Sequence, residues 1–270
     1  MTTPSRISVL FGMALAAVPA LANERHFAYT YETAVLPPGG RELEVWSTLR
    51  AGRGDYYSAL DHRLEFEAGI SERVMTAFYL NWSNETSEGL PGQLGSQLSW
   101  GGISNEWKWK LSDPVADPVG FALYGEVTYA TDEMELEVKT LFDKKIGRLL
   151  LAANLVAEGE FESEPDEVEL EEIELEADLA VGYAVTNRFS VGLEMRNHNE
   201  IAKEAGAEEM EWEHSALFLG PNVSYATEKW WVTFSVLPQL PALMKPEGGS
   251  ILVLDEHEKV NARLLFSFHI

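Results

Sequence analysis

Beyond residue 40 the apolar positions of the chain recur every second residue, not every third or fourth. Leu60, His62, Leu64, Phe66, Ala68 and Ile70 alternate with Asp61, Arg63, Glu65, Glu67 and Gly69, and after Ser71-Glu72-Arg73 the rhythm resumes at Val74, Thr76, Phe78, Leu80 and Trp82. Ile173, Leu175, Ala177, Leu179, Val181 and Tyr183 repeat it against Glu174, Glu176 and Asp178. Val260, Ala262, Leu264, Phe266, Phe268 and Ile270 do so at the chain end, against Lys259, Asn261, Arg263, Ser267 and His269. A period of two belongs to a strand with one apolar and one polar face. It predicts twelve strands, over 41–51, 59–70, 73–84, 102–111, 119–130, 134–143, 148–158, 168–185, 188–197, 212–226, 230–239 and 259–270. Strands in soluble sheets usually run about five or six residues; these are nearer the roughly ten that a tilted strand needs to cross a membrane.

The connections alternate too. Those at 71–73, 112–118, 144–147, 186–187 and 227–229 are short; those at 84–101, 159–167, 198–211 and 240–258 are longer, and 131–133 is brief. Short turns on one side and long loops on the other predict an all-β fold, a transmembrane antiparallel up-and-down β-barrel of about twelve strands in a bacterial outer membrane. Both ends of the chain then fall on the short-turn, periplasmic side. Only a closed barrel lets strands satisfy every backbone N–H and C=O in hydrocarbon. Aromatic placement tests this register. Trp109, Phe121, Phe142, Tyr183, Phe189, Tyr225, Trp230 and Phe268 lie on the apolar face at the short-turn ends, as a membrane-interface girdle requires. Trp82 and Tyr129 suit the opposite girdle, whereas Trp46 falls on the polar face and breaks the pattern.

The polar face defines a candidate pore lining: Glu44, Arg50, Arg63, Glu65, Glu67, Lys108, Lys110, Glu126, Glu137, Lys139, Glu176, Asp178, Glu194, Arg196 and Arg263. These cannot face lipid, where a midplane Lys or Arg costs about 2–4 kcal/mol. Two readings stand side by side. The side chains border a narrow aqueous path and set its selectivity, or acids and bases pair across the lumen and seal it. The first makes the protein a narrow passive channel for small solutes. The second makes it a sealed structural or surface-interaction barrel with acidic, cation-binding loops. A soluble β-sandwich ranks below both, because it needs a second sheet over the apolar face.

The N-terminus reads differently. Arg6, the uncharged run Ile7 to Val18, Pro19 and the small residues around Ala20-Leu21-Ala22 make 1–22 a secretory signal peptide. Residues 23–40 form a separate N-terminal segment ahead of the barrel at 41–270. Phe27, Tyr29 and Tyr31 alternate there and Pro37-Pro38-Gly39-Gly40 makes a turn. The segment either enters the lumen as a plug or rests in the periplasm; aromatics need a partner out of water, which favours the plug.

Composition narrows the function. Among 270 residues there are 20 basic and 44 acidic side chains, a net charge of −24, and no cysteine. Such acidity opposes phosphate backbones, so no nucleic-acid partner is expected. Without cysteine there is no thiol catalysis or thiolate metal site. No cofactor is expected either. The strongest charge run lies between 158 and 178; Glu160, Glu162, Glu164, Asp166 and Glu167 are a candidate divalent-cation contact, or else a solvated, self-repelling loop, since EF-hand spacing and its glycine are missing. Asn197-His198-Asn199-Glu200 and Asp255-Glu256-His257-Glu258 are two further ligand-bearing stretches, or ordinary polar loops. Adjacent His214 and Ser215 point to opposite faces of a strand and cannot form a nucleophile pair, so no enzyme activity is expected.

The stretch His26–Trp82 carries Phe27-Ala28-Tyr29-Thr30-Tyr31-Glu32-Thr33, Leu36-Pro37-Pro38-Gly39, Glu44-Val45-Trp46, Asp61-His62-Arg63-Leu64-Glu65 and Tyr79-Leu80-Asn81. It resembles an uncharacterised family of bacterial outer-membrane β-barrels and, more distantly, the barrels associated with the phenol meta-cleavage pathway. That resemblance implies fold, outer-membrane location and permeation by small apolar or aromatic compounds, and brings no catalytic residues. Leu264, Phe266, Phe268 and Ile270 resemble the C-terminal signal of barrel insertion, with Ile270 where Phe is usual. The implied partners are outer-membrane lipid, lipopolysaccharide and the barrel-assembly machinery.

Overall fold

Among the described residues each strand pairs antiparallel with the next in sequence, and the last pairs with the first. The computed structural model describes residues 25–90, 92–131, 133–164, 167–203, 210–244 and 250–270. The segment expected as a signal peptide, 1–22, and Asp166 lie outside them. The strands are β1 (Arg41–Ala51), β2 (Tyr57–Ser71), β3 (Val74–Leu90), β4 (Gln93–Ser112), β5 (Gly120–Tyr129), β6 (Glu133–Ile146), β7 (Leu149–Glu164), β8 (Glu167–Ala184), β9 (Phe189–Lys203), β10 (Met210–Ala226), β11 (Trp230–Leu240) and β12 (Val260–His269). They form a closed barrel of twelve strands. The seam runs from Glu42 opposite His269 to Ala51 opposite Val260, so no strand edge remains open along it.

The period of two sets which side chains face out. On β8, Leu179, Val181 and Tyr183 are exposed on the outer face while Asp178 and Ala180 are buried on the inner one. On β1, Val45 and Leu49 are outside, and Glu42, Glu44, Trp46 and Thr48 are buried within. The eight aromatics assigned to one height share the outer face near the short turns. Phe121 sits opposite Phe142 with ring centroids 5.0 Å apart. Phe189 is opposite Tyr225, and Trp230 opposite Phe268.

At the other end the strands outrun the sequence reading. Residues 84–101, expected as a loop, are mostly continuous ladder: β3 runs to Leu90 and β4 starts at Gln93. Likewise 159–167 is largely the ends of β7 and β8, with Glu160 opposite Glu172. Asn197 to Glu200 belongs to β9 and is not a loop. Outside the apolar belt both faces of a hairpin meet water, so the alternation disappears while backbone pairing continues.

Candidate functional site: a lumen occupied by the N-terminal segment

Residues 25–36 lie inside the ring of strands, and the exposed Pro37, Pro38 and Gly39 lead out of it to β1. The chain turns at Pro37-Pro38-Gly39-Gly40, where Gly40 N–H bonds Pro37 O at 2.8 Å and Gly39 takes φ 80°, as a turn with Pro then Gly at its centre should. Gly69 on β2 receives this corner: its N–H bonds Gly40 O and its carbonyl accepts from Gly39, both at 2.9 Å. A Cβ at Gly69 would stand 2.0 Å from Pro37 O, so glycine is required there.

Deeper in, polar side chains of the wall grip the backbone of the segment. The Glu194 carboxylate on β9 accepts from the N–H groups of Ala28 (2.9 Å), Tyr29 (2.7 Å) and Thr30 (3.0 Å). Ser235 on β11 donates to the same carboxylate. Asn154 on β7 binds Tyr31 twice, accepting its N–H at 2.6 Å and donating to its C=O at 2.9 Å. Asp143 on β6 accepts from the N–H and hydroxyl of Thr33 at 3.0 and 2.7 Å. Thr233 donates to Arg25 O at 2.6 Å, and Asn222 donates to His26 O. A segment touching β6, β7, β9, β10 and β11 at once, and β1 through Arg25 and Glu44 at 3.8 Å, can only be in the lumen. None of Asn154, Asp143, Asn222, Thr233 or Ser235 stood out in the sequence. Their one signal is a polar residue on the inner face of an otherwise apolar or small-residue stretch.

Tyr29 and Tyr31 carry a layer of cations. Arg25 lies 4.0 Å from the Tyr31 ring and 4.8 Å from Trp46; Arg263 lies 4.1 Å and Arg196 4.8 Å from Tyr29; Lys139 lies 4.5 Å from Tyr31. Trp46, which broke the outer pattern, faces inward because it is part of this stack, beneath Arg63 and Arg263 at 5.1 Å each.

The fifteen charged residues proposed for the lining are inner-face residues throughout, and most are spoken for. Arg63 pairs with Glu126 at 3.3 Å, Lys139 with Glu137 at 3.0 Å, and Arg196 with Glu176 and, at 3.9 Å, Asp178. Arg50 bridges Asp61 at 2.7 Å and Glu258 at 3.3 Å, and Arg263 donates to Thr48 at 2.9 Å. Glu44, Glu65, Glu67 and Lys108 are buried around the segment, with Glu44 directly opposite Glu65. Lys110 stands at the short-turn rim, 2.7 Å from Asp113. Its ammonium, with the N–H groups of Val115 and Ala116, holds the Asp113 carboxyl down to about 2.

The segment divides the lumen. Toward the long hairpins is a chamber of about 610 Å³ bordered by Arg50, Arg63, Glu126, Glu137 and Glu174, with Tyr29, Tyr31 and Trp46 also lining it. Toward the short turns is one of about 630 Å³ bordered by Arg25, His26, Glu32, Lys110 and Trp231. In the upper wall acids face one another: Glu137 opposite Glu158, Glu158 opposite Glu174, and Glu174 opposite Glu200. Like charges in cross-strand register cost about 0.2–1 kcal/mol each. Glu158→Gln relieves two such contacts, so its thermal unfolding midpoint in detergent should rise; a fall would show that an opposed acid there is stabilising.

Fold and site together define a closed twelve-stranded antiparallel barrel whose lumen holds its own N-terminal segment. The chain belongs to the family of unknown function DUF6662, whose pattern matches residues 19–270. No curated protein matches it. Among solved structures it is similar to the β domain of the Bordetella autotransporter Brka (9% identity, 86% of this chain and 100% of that one, TM-score 0.49). It is also similar to the translocator domain of the Neisseria meningitidis autotransporter NalP (10% identity, 86% and 88%, TM-score 0.48) and to Vibrio cholerae OmpT (9% identity, 86% and 100%, TM-score 0.34).

Proposed function

We propose that the protein lies in a bacterial outer membrane as a narrow passage for small solutes, normally shut by residues 25–36. The observation that carries this reading is the way the segment is held. Wall side chains bind its backbone through polar contacts that water can replace, and an open chamber stands on either side of it. A barrel built only as a scaffold has no need of a removable filling.

The outer surface supports the location. Leu123, Val138, Leu155, Leu179, Leu193 and Phe234 are exposed on it, a continuous apolar belt that water would not tolerate. Outer-leaflet lipopolysaccharide would then surround the long hairpins, and their acidic residues would contact its divalent cations. Leu179→Arg should lower stability in lipid by about 2–4 kcal/mol, read as the denaturant midpoint of vesicle-folded protein. An unchanged midpoint would put that face outside hydrocarbon.

The cargo suggested by resemblance, small apolar or aromatic compounds, meets a chamber lined mainly by charged groups above an aromatic floor. The lining favours small polar or ionic solutes, with an aromatic moiety accommodated beside Tyr29 and Trp46. This reading assigns no chemical step: His214 is turned inward, while Ser215, on the outer face, takes a hydrogen bond from Asn197 at 3.0 Å. Single-channel recording of the full chain tests the proposal. Rare, brief openings are expected. The competing sealed barrel gives no current with or without the segment.

A further inference from the structure

Three histidines, two on neighbouring strands and one from a later connection, meet near the long-hairpin mouth. His198 comes from β9, His214 from β10, and His257 from the connection between β11 and β12. One ring nitrogen of each lies within 4.8 Å of the others. His214 Nε2 and His257 Nε2 are 2.7 Å apart, and the His257 ring is 4.8 Å from that of His198. Carboxylates close the group: Glu200 Oε2 is 3.2 Å from His214 Nε2, and Glu176 Oε2 is 3.3 Å from His198 Nδ1.

The group is built, not incidental. An irregularity in the β9–β10 ladder between Trp212 and His214 brings His214 opposite Glu200. The arm carrying His257 is fixed on both sides. Gln239 on β11 exchanges hydrogen bonds with Val253 at 2.8 Å each way and donates to Glu258 O at 3.2 Å. The Glu258 side chain, 1% exposed, binds Arg50 and Arg53. His214 is 6% exposed and its Nδ1 is buried with no hydrogen-bond partner.

We propose that His198, His214 and His257 form a site for a divalent first-row transition metal, zinc being the probe of choice, with water in the fourth position and the Glu200 carboxylate beside His214. Three imidazole nitrogens suit zinc, copper or nickel and not calcium or magnesium, which take oxygen ligands. Two tetrahedral ligands about 2.0–2.1 Å from zinc stand roughly 3.3 Å apart, so the metal would replace the shared proton of His214 and His257 and spread them by about half an ångström. The site joins β9 and β10 to the arm carrying His257, so bound metal would tie that arm to the barrel wall. Metal binding itself does not depend on the transport reading.

The test is calorimetric titration of the refolded full chain in detergent with zinc, in excess magnesium to occupy the acidic surface. One equivalent is expected to bind. His257→Ala, outside the strands, should weaken binding by more than the roughly 10–100-fold that loss of an outer partner costs, and His214→Ala should do the same. Cobalt should give the visible absorption of a four-coordinate site in the full chain and lose it in both variants. No stoichiometric zinc binding would overturn the proposal. So would binding that survives both substitutions, which would belong to the carboxylates.

Discussion

Deleting residues 25–36 should convert a nearly silent barrel into one with steady ohmic current. The barrel does not need the segment to close, because the ladder begins at Glu42 opposite His269 and is complete from there. What is lost is the filling between two chambers of about 610 and 630 Å³. The side chains left behind, among them Glu194, Asp143 and Asn154, are polar and would take up water. The gain should also appear as liposome swelling by small sugars. A heat-modifiable band on unboiled SDS gels would confirm that the variant is folded. Zero current from a folded variant would mean that the wall closes the lumen through pairs such as Arg63–Glu126 and Arg196–Glu176, and would establish the sealed barrel instead.

A single substitution should reproduce part of that effect. Glu194 accepts from three successive backbone N–H groups of the segment. Hydrogen bonds to a charged group contribute about 1.5–3 kcal/mol each, less what rehydration of the freed N–H groups returns. Allowing for that, Glu194→Ala should loosen the seat by about 3 kcal/mol, roughly a hundredfold in the ratio of open to shut time. Glu194→Gln keeps one acceptor oxygen and should fall between. The readout is open probability at fixed voltage, with the size of the fully open current unchanged. Equal open probability in all three proteins would show that apolar packing of Phe27, Tyr29 and Tyr31 holds the segment without help from the carboxylate.

The sequence by itself determined the barrel. Twelve strands, their antiparallel order and the facing of residues such as Leu179 and Asp178 follow from a period of two, because an apolar exterior and a polar interior write opposite chemistry on alternate residues. That contrast ends where the belt ends, so the extension of β3 and β4 through 84–101 left no trace in the pattern; backbone pairing does not depend on which side chains it carries. The tertiary structure alone decided what occupies the inside. Trp46 looked irregular until Arg25, Arg63 and Arg263 were found around it. Glu194 read as one lining acid among many, though its partners lie 164 to 166 residues away. His198 and His214 are brought together by the register and irregularity of the β9–β10 ladder, and His257 joins them only through the folded-back connection between β11 and β12. Alternation is local and survives in one dimension, whereas convergence on a point inside a closed ring depends on how distant segments are positioned in three.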